Sequence, residues 1–502
     1  MSAPATPGAN ATLEHQAIDP NTADFLQEAA SSPFDFHSLS VKAAGDEQLK
    51  AAINNAVMRQ HSARQLQLLD LPDSDRLREL AGQIKQHAIE NLDYYLEQLK
   101  TNVEKNGGHV HFAADTKEAR QIILDIAASR HCTRVIKSKS MVSEEINLVP
   151  VLEQAGIDVV ETDLGEFIVQ ISHDKPSHLV APIVHKDRRT IAKLFSEYFG
   201  TAYNEDANAM TKQARAYLRE KFRKADFGMT GGNFLVAETG LVCCVENEGN
   251  QRQSVTTPRV LVSLVGIEKV IPRMADLAVM LKLLTRSATG APITIYTNIF
   301  GGPRSPGEKD GPEEFHLVLI DNGRSEILAS EEYRETLRCI RCGACLNACP
   351  IYRKIGGHAY GSVYPGPIGA LITPLFKGLG EYKDLPQASS LCGACYEACP
   401  VKINIPKHLV HMRRDIVQSQ MNSVWERLIY RLWAWAYRAP WRYNLVSALQ
   451  RFDLRNRAQG SGWVSELPSV AAGWTQIRDM PAPAERSFHQ LWRERGRGED
   501  RG

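Results

Sequence analysis

The sequence predicts an α/β domain with an open, mostly parallel sheet, then an α-helical module built on two cysteine runs, then a helical and irregular C-terminal region. Three observations carry that order. Short apolar strands alternate with helical patterns from His109 to Thr162, the rhythm of βαβ units whose sheet is covered on both faces. Seven of the ten cysteines then fall in two runs, Cys339 to Cys349 and Cys392 to Cys399. Beyond Lys407 no lysine recurs, while fifteen arginines and all seven tryptophans follow.

At 502 residues the chain is too long for one ordinary core, and roughly two to four domains are expected. The divisions read from the sequence are an N-terminal extension over 1–60, partly disordered, the α/β domain over 61–327, the two-cluster module over 328–410 and the Arg/Trp-rich region over 411–502. With 59 basic and 58 acidic residues the formal charge is +1, which argues against a polyanion binder and so against a nucleic-acid partner.

Residues 1 to about 30 are rich in Ala, Pro, Thr, Asn and Ser, a composition poor in core-forming side chains. They show neither a basic n-region nor an apolar h-region, so no secretory signal is expected. From Ser74, apolar residues recur at three and four (Leu77, Leu80, Ile84, Ala88, Leu92, Leu96, Leu99, Val103). That period predicts one long packing helix, capped by Asp73 or Ser74 and ended by Gly107-Gly108.

Strands are expected at His109–Ala113, Thr133–Ser138 and Asp158–Thr162, with helices at Thr116–Ser129 and Glu144–Gly156 between them. Ligands of such sheets sit at the carboxyl ends of strands. The loops there include Lys137-Ser-Lys139, Glu161 to Glu166, Met229 to Asn233, Ala237 to Gly240 and Gly301 to Arg304. Lys137 and Lys139 beside glycine turns suit an anion; solvated lysines on a purely structural domain account for them equally well. No G-x-G-x-x-G follows a strand and no G-x-x-x-x-G-K-[ST] occurs, so nicotinamide and nucleotide triphosphate readings lack their loops. The apolar run Phe234–Val245 predicts one strand, in which Cys243 and Cys244 read as buried inert thiols. Cys132 beside His131 reads as structural too. Pro258–Val270, Pro292–Tyr296 and His316–Ile320 add strands. Glu331–Arg338 is expected as the helix that delivers the chain to Cys339.

Cys339, Cys342, Cys345 and Cys349-Pro350 have the C-x2-C-x2-C-x3-C-P spacing of bacterial two-cluster ferredoxins, in which the fourth cysteine ligates the other cluster. The proline stops a helix from running back into the loop. That crossing assigns Cys339, Cys342, Cys345 and Cys399 to cluster 1, and Cys349, Cys392 and Cys395 to cluster 2. Ser389 stands where the second run should have its first cysteine. Cluster 2 is therefore a 3Fe–4S centre, or a 4Fe–4S centre whose last iron takes Ser389, water or another ligand; the reluctance of a hydroxyl to ionise favours three cysteines. Zinc would leave thiols over, and disulfides would need a secreted context. Ala370–Gly378 and Glu381–Ser389 read as helices of the module. His358, in a glycine-rich spacer, is either a residue that tunes a cluster or an ordinary loop histidine.

Glu426–Ala439 reads as a helix. Arg and Trp are enriched at protein–protein hot spots, whereas a membrane-surface helix would show lysine and a clean apolar face. Partner docking is thus expected, against packing on the cysteine module, with a loose tail over Arg493–Gly502. No run reaches the roughly 18 apolar residues of a membrane span; even Val260–Ile267 soon meets Glu268 and Lys269. A cytoplasmic protein is expected, peripheral to the inner face of the membrane at most.

Several motifs together resemble the lactate utilization protein B family of iron–sulfur subunits. They are Lys137-Ser-Lys-Ser-Met, Glu161-Thr-Asp-Leu-Gly-Glu, Ala237-Glu-Thr-Gly, Asp321-Asn-Gly-Arg, both cysteine runs, Gly356-Gly-His-Ala-Tyr-Gly, Gly366-Pro-Ile-Gly, Gly473-Trp-Thr and Arg478-Asp. The resemblance runs from about residue 35 nearly to the end. It implies an α/β domain similar to the ribose-phosphate isomerase and CoA-transferase superfold, and two 4Fe–4S clusters, the second also with three cysteines. It implies a cysteine-rich-domain subunit and a smaller α/β-domain subunit as partners in converting L-lactate to pyruvate for growth. Glu238 falls where related superfold enzymes place a carboxylate, but the local motif differs and no catalytic residue is assigned.

The function expected is electron transfer, as a non-catalytic or co-catalytic subunit of an L-lactate-oxidising complex that passes electrons to an acceptor. Lys137, Lys139 and Arg304 are the candidates for a substrate carboxylate. The alternative is a free-standing isomerase- or transferase-type enzyme whose clusters are structural.

Overall fold

The computed structural model describes residues 34–499 other than 459, 469, 470 and 477. The expected untidiness of residues 1–30 and residues 500–502 of the expected loose tail lie outside these, while the rest of that tail belongs to the helix Phe488–Glu499 and so is not loose. Two compact units divide at Gln418 and Ser419.

Among the described residues of the first unit, ten strands form two sheets. They are β1 (His109–Ala113), β2 (Arg134–Lys137), β3 (Asp158–Glu161), β4 (Phe227–Thr230), β5 (Phe234–Val236), β6 (Leu241–Glu246), β7 (Val260–Gly266), β8 (Val270–Ile271), β9 (Tyr296–Phe300) and β10 (Glu314–Ile320). The larger sheet has the order β1-β10-β7-β4-β2-β3, and every pairing in it is parallel. Its middle strands β7 and β10 are buried almost throughout, which is why they read as unbroken apolar runs. Asp115 starts the helix Thr116–Ser129 by accepting the Glu118 N–H at 2.9 Å, an ordinary N-cap. The smaller sheet runs β8-β5-β6-β9.

Several expectations change, and the strand expected at Pro292–Tyr296 begins only at Tyr296. The long helix from Ser74 is two helices, Ser74–Glu90 and Leu92–Lys105, broken at Asn91, whose side-chain amide bonds the His87 carbonyl at 2.8 Å and competes with the helix ladder. The expected strand over Phe234–Val245 is the hairpin β5–β6. Its turn needs Gly240, at φ +71° and so close to Asn102 that a Cβ would lie 2.6 Å from that backbone. Asn147, at φ +47°, splits the helix expected over Glu144–Gly156. The run Pro258–Val270 is not one strand either: β7 ends at Gly266, a tight turn over Ile267–Lys269 follows, and β8 enters the other sheet. That crossing places Glu268 and Lys269 inside the unit, pinned by Lys85, which donates to the Glu268 carbonyl and to that of Val270 at 3.3 Å.

The cysteine module is helical but in shorter pieces than expected. Arg334–Arg338 and Leu385–Gln387 are single tight turns, and Gly366–Lys377 is its main helix before the second run. Upstream, Phe36–Gly45 and Glu47–Leu69 are helices, the second crossing the boundary expected at residue 60. Arg64 donates to the Ala398 carbonyl (2.8 Å) and Arg78 to that of Cys399 (2.9 Å), so helices distant in sequence hold the second cysteine run.

In the second unit Val424–Tyr437 and Pro440–Arg457 are helices joined by a short turn, and Trp463–Val464 pairs antiparallel with Met480–Pro481. Trp425, Trp433, Trp435 and Trp441 are all more than half exposed. Among the described residues no helix is long and apolar enough to cross a membrane.

Candidate metal centre and adjoining cavity

The two cysteine runs fold as copies of one turn, fifty residues apart. Arg341 (φ +60°) and Leu391 (φ +54°) take left-handed conformations, followed by Cys342-Gly343 and Cys392-Gly393 with both glycines also left-handed. The short helices Ala344–Ala348 and Ala394–Ala398 come next, ending at Cys349 and Cys399. Left-handed residues on either side of the central cysteine turn the backbone N–H groups inward around a concavity suited to anionic groups. The sulfurs are met by such donors: Arg341 N–H to Cys339 Sγ at 3.4 Å, Tyr352 N–H to Cys349 Sγ at 3.5 Å and Ile403 N–H to Cys399 Sγ at 3.3 Å. Gly343 is required twice over, since a Cβ there would also meet the His178 ring at 3.2 Å.

All ten cysteines are free thiols, and the electrostatics group seven of them. Burial pushes the Cys342 thiol up to about 12, with Cys339 and Cys399 adding to it. Burial likewise raises Cys399 to about 11, with Cys339, from the first run, adding to it. Cys345 lies well above its ordinary value through burial and then Cys339, Cys342, Cys395 and Cys399, so it also faces the second set. Cys395 rises to about 12 through burial and then Cys349, with Cys392 adding. Buried thiols that crowd one another ionise only with a cation to compensate them, so the donor set fits a metal group. A single ion is the wrong size. Among the described residues the sets converging within 4.8 Å are Asp174–His185–His358 and Glu144–Glu161–Glu166, and no cysteine belongs to either. A cubane spreads its thiolates wider than one zinc does.

The three carboxylate candidates are not brought together. Lys137 is wholly buried, its ammonium 2.7 Å from Glu161 and 3.1 Å from Glu144; β2 ends inside the unit, so this lysine neutralises carboxylates where a solvated loop was expected. Arg304 lies at the surface, paired with Glu313 at 2.9 Å. Lys139 bonds Glu166 at 2.8 Å and lines a cavity. His358 bonds the Lys175 carbonyl at 2.7 Å and lies against the His185 ring, which are not cluster contacts. Glu238 accepts the Met274 N–H at 2.8 Å, a helix cap.

The cavity, of about 350 Å³, lies at the carboxyl ends of β2 and β4 and is closed by the first cysteine run through Arg341 and Cys342. A buried ion network reaches it through Glu268, Arg341 and Tyr364. Arg324 donates to both oxygens of Glu145 (2.9 and 2.8 Å) and to Glu268 (2.5 Å). Tyr364 donates to Glu145 at 2.6 Å, and Arg341 reaches Glu268 at 3.4 Å while stacking on the Tyr364 ring at 4.5 Å. Burial opposes ionisation of Glu268, but Arg324, Arg341 and Lys269 outweigh it and hold the carboxyl at about 2. Burial lowers Lys269 to about 8. Neither Lys269 nor Arg341 stood out in the sequence; the one signal was a charged pair, Glu268-Lys269, at the end of an apolar run.

Three family models match in series: the LUD domain over residues 96–320, the 4Fe-4S dicluster domain over 335–403 and the lactate utilisation protein B C-terminal model over 410–497. Lactate utilization protein B of Bacillus licheniformis is 45% identical over 460 residues, covering 91% of this chain and 96% of that protein. Its namesake in Bacillus cereus is 44% identical over 457 residues, with the same coverage. The chain belongs to the lactate utilization protein B family. Its dicluster domain is the segment that carries the seven grouped cysteines, and two 4Fe–4S clusters are its cofactors. A solved DUF162 family protein from Deinococcus radiodurans covers 46% of this chain and 98% of its own, at 12% identity and a TM-score of 0.26, a likeness too slight to carry an argument.

Proposed function

We propose that this chain is the iron–sulfur electron-transfer subunit of a multisubunit system that oxidises L-lactate to pyruvate. The observation that carries it is the repeated cysteine turn within a member of the lactate utilization protein B family. Cys339, Cys342, Cys345 and Cys399 are the ligands proposed for cluster 1, and Cys349, Cys392 and Cys395 those for cluster 2. The influence of Cys339 on Cys399, and of Cys349 on Cys395, supports that crossing. When bound, such clusters accept and release single electrons at potentials set by ligands, hydrogen bonds and burial. The chain supplies the backbone donors to sulfur, and Arg341 beside Cys342 places positive charge at the first set. Cys392 is exposed while Cys342, Cys345 and Cys399 are buried, so the second set is the one open to a partner.

The partners proposed are a cysteine-rich-domain subunit, a smaller α/β-domain subunit and an electron acceptor. The exposed tryptophans of the second unit are suited to docking one of them. The proposed location is the cytoplasm or the inner face of the membrane. Anaerobic EPR tests the reading: the chain is titrated with dithionite, reoxidised, then mixed with its partners and L-lactate. Iron near eight per chain and lactate-dependent reduction are expected. Clusters that stay oxidised with lactate and every partner present refute it.

A further inference from the structure

The glycine-rich spacer Gly356-Gly-His-Ala-Tyr-Gly361 lies between the two cysteine runs. Its histidine is engaged by the Lys175 carbonyl, and its tyrosine is the residue set deep in the module. Gly357 passes so close to the Ser177 carbonyl, and Gly361 to the Phe34 ring, that a Cβ at either position would overlap them. The tight turn His358–Tyr360 is thereby pressed inward, and Tyr360 is wholly buried. Its ring neighbours those of Phe36 at 6.1 Å and Tyr352 at 6.4 Å.

The two buried phenols of this cluster differ in one respect. Tyr352, whose backbone N–H bonds Cys349 Sγ at 3.5 Å, donates its hydroxyl to the Ser177 carbonyl at 2.6 Å. The Tyr360 hydroxyl, equally buried, has no hydrogen-bond partner. Burial, then Cys349, Tyr352 and Cys345, hold that phenol well above its ordinary value. It therefore stays protonated, a donor beside the cysteine that crosses from the first run to the second set. A buried hydroxyl left unbonded is costly, and buried polar groups are found with partners.

We propose that the Tyr360 hydroxyl donates a hydrogen bond to a sulfur of the cluster held by Cys349, cluster 2, and raises its reduction potential. The inference rests on the proposed electron-transfer function. A donor to sulfur stabilises the reduced cluster, the more negative state, above the oxidised one. With three thiolates against four, cluster 2 already carries less negative charge than cluster 1, and the phenol moves it further in the same direction. Electrons that enter at the buried first set would then settle on the second, whose Cys392 is exposed. The competing account is that a buried water completes the hydroxyl and that Tyr360 serves packing alone.

The test is potentiometric EPR of the anaerobically purified, cluster-loaded chain and of two substituted forms. Tyr360→Phe removes the oxygen and keeps the packed ring. At a fixed applied potential it should cut the reduced-to-oxidised ratio of one cluster about fivefold, the scale of one hydrogen bond, leaving the other cluster and the iron content unchanged. A ring-fluorinated tyrosine at position 360, whose more acidic phenol donates more strongly, should move the same midpoint the opposite way, which a packing role would not. The proposal is overturned if Tyr360→Phe leaves both midpoints in place, which would give the hydroxyl to a buried water, or if it moves both together. Should Tyr360→Phe take up no iron, the fluorinated form decides alone, and an unshifted midpoint there overturns the proposal. Failure of the electron-transfer reading looks different: a parent chain without iron, or clusters that dithionite reduces and that lactate with every partner leaves oxidised.

Discussion

Ser389 occupies the place of Cys339 in the second cysteine turn and accepts the same hydrogen bond, Leu391 N–H to Ser389 Oγ at 3.1 Å against Arg341 N–H to Cys339 Sγ at 3.4 Å. The backbone there is therefore already shaped for a cysteine. Ser389→Cys should fold normally and complete a fourth thiolate for cluster 2. Added negative charge favours the oxidised cluster, so one of the two midpoint potentials should move to a more negative value while the other stays. Potentiometric EPR of parent and variant measures this. Two unmoved potentials would place Ser389 away from the iron.

The metal-binding half of this site was legible because ligand spacing is local: three cysteines and a glycine turn lie within seven residues. The sheet was legible for a related reason, since β7 and β10 are buried on both faces and spell it in apolar runs. What stayed hidden depends on distance in sequence. Lys137 reads as a loop lysine, and only Glu161, brought alongside by the pairing of β2 with β3, shows that it is buried. Arg341 reads as a spacer between cysteines, and its role emerges once Glu268 and Tyr364 lie against it. The hairpin at Gly240 hid inside an apolar run because its turn is bounded by strands as apolar as a single longer one.

Cysteine reactivity should divide sharply by burial. Cys243 and Cys244 are buried in β6, and burial raises both thiols to about 12. At pH 8 only about one in ten thousand is then thiolate. In the cluster-stripped but folded chain, iodoacetamide should label the exposed Cys392 within minutes and leave Cys243 and Cys244 unmodified until denaturant is added. Mass spectrometry of tryptic peptides reads the order.

Arg324→Met should be among the most damaging single changes outside the cysteines. It leaves Glu145 and Glu268 buried without their shared cation, and breaking such a pair costs about 3–5 kcal/mol. The effect should depend on pH in one direction. Glu268 is held at about 2 in the folded chain against an ordinary 4.5, so the network's contribution is full above 4.5 and is lost as pH falls towards 2. Urea denaturation should show the largest gap between parent and variant near neutrality and a shrinking gap below pH 4.5. A gap that widens in acid would contradict the network.

A second acid-sensitive element lies at the edge of the larger sheet. His316 on β10 sits 3.1 Å from His111 on β1, with the His109 ring stacked at 4.9 Å. Burial, then His111 and His109, lowers His316 to about 4 from an ordinary 6.5. Between those values the unfolded chain binds a proton that the folded chain refuses, so stability falls as pH drops from 6.5 and levels off below about 4. At pH 5 the penalty is about 1–2 kcal/mol. His316→Val keeps a side chain suited to a buried strand and removes the titrating ring. It should therefore match or fall below the parent at pH 7.5, where the Glu314 contact at 3.4 Å is lost, and gain on it at pH 5. Urea midpoints at the two values decide the matter: a difference between parent and variant that does not change with pH would mean that the stacked histidines carry no acid liability.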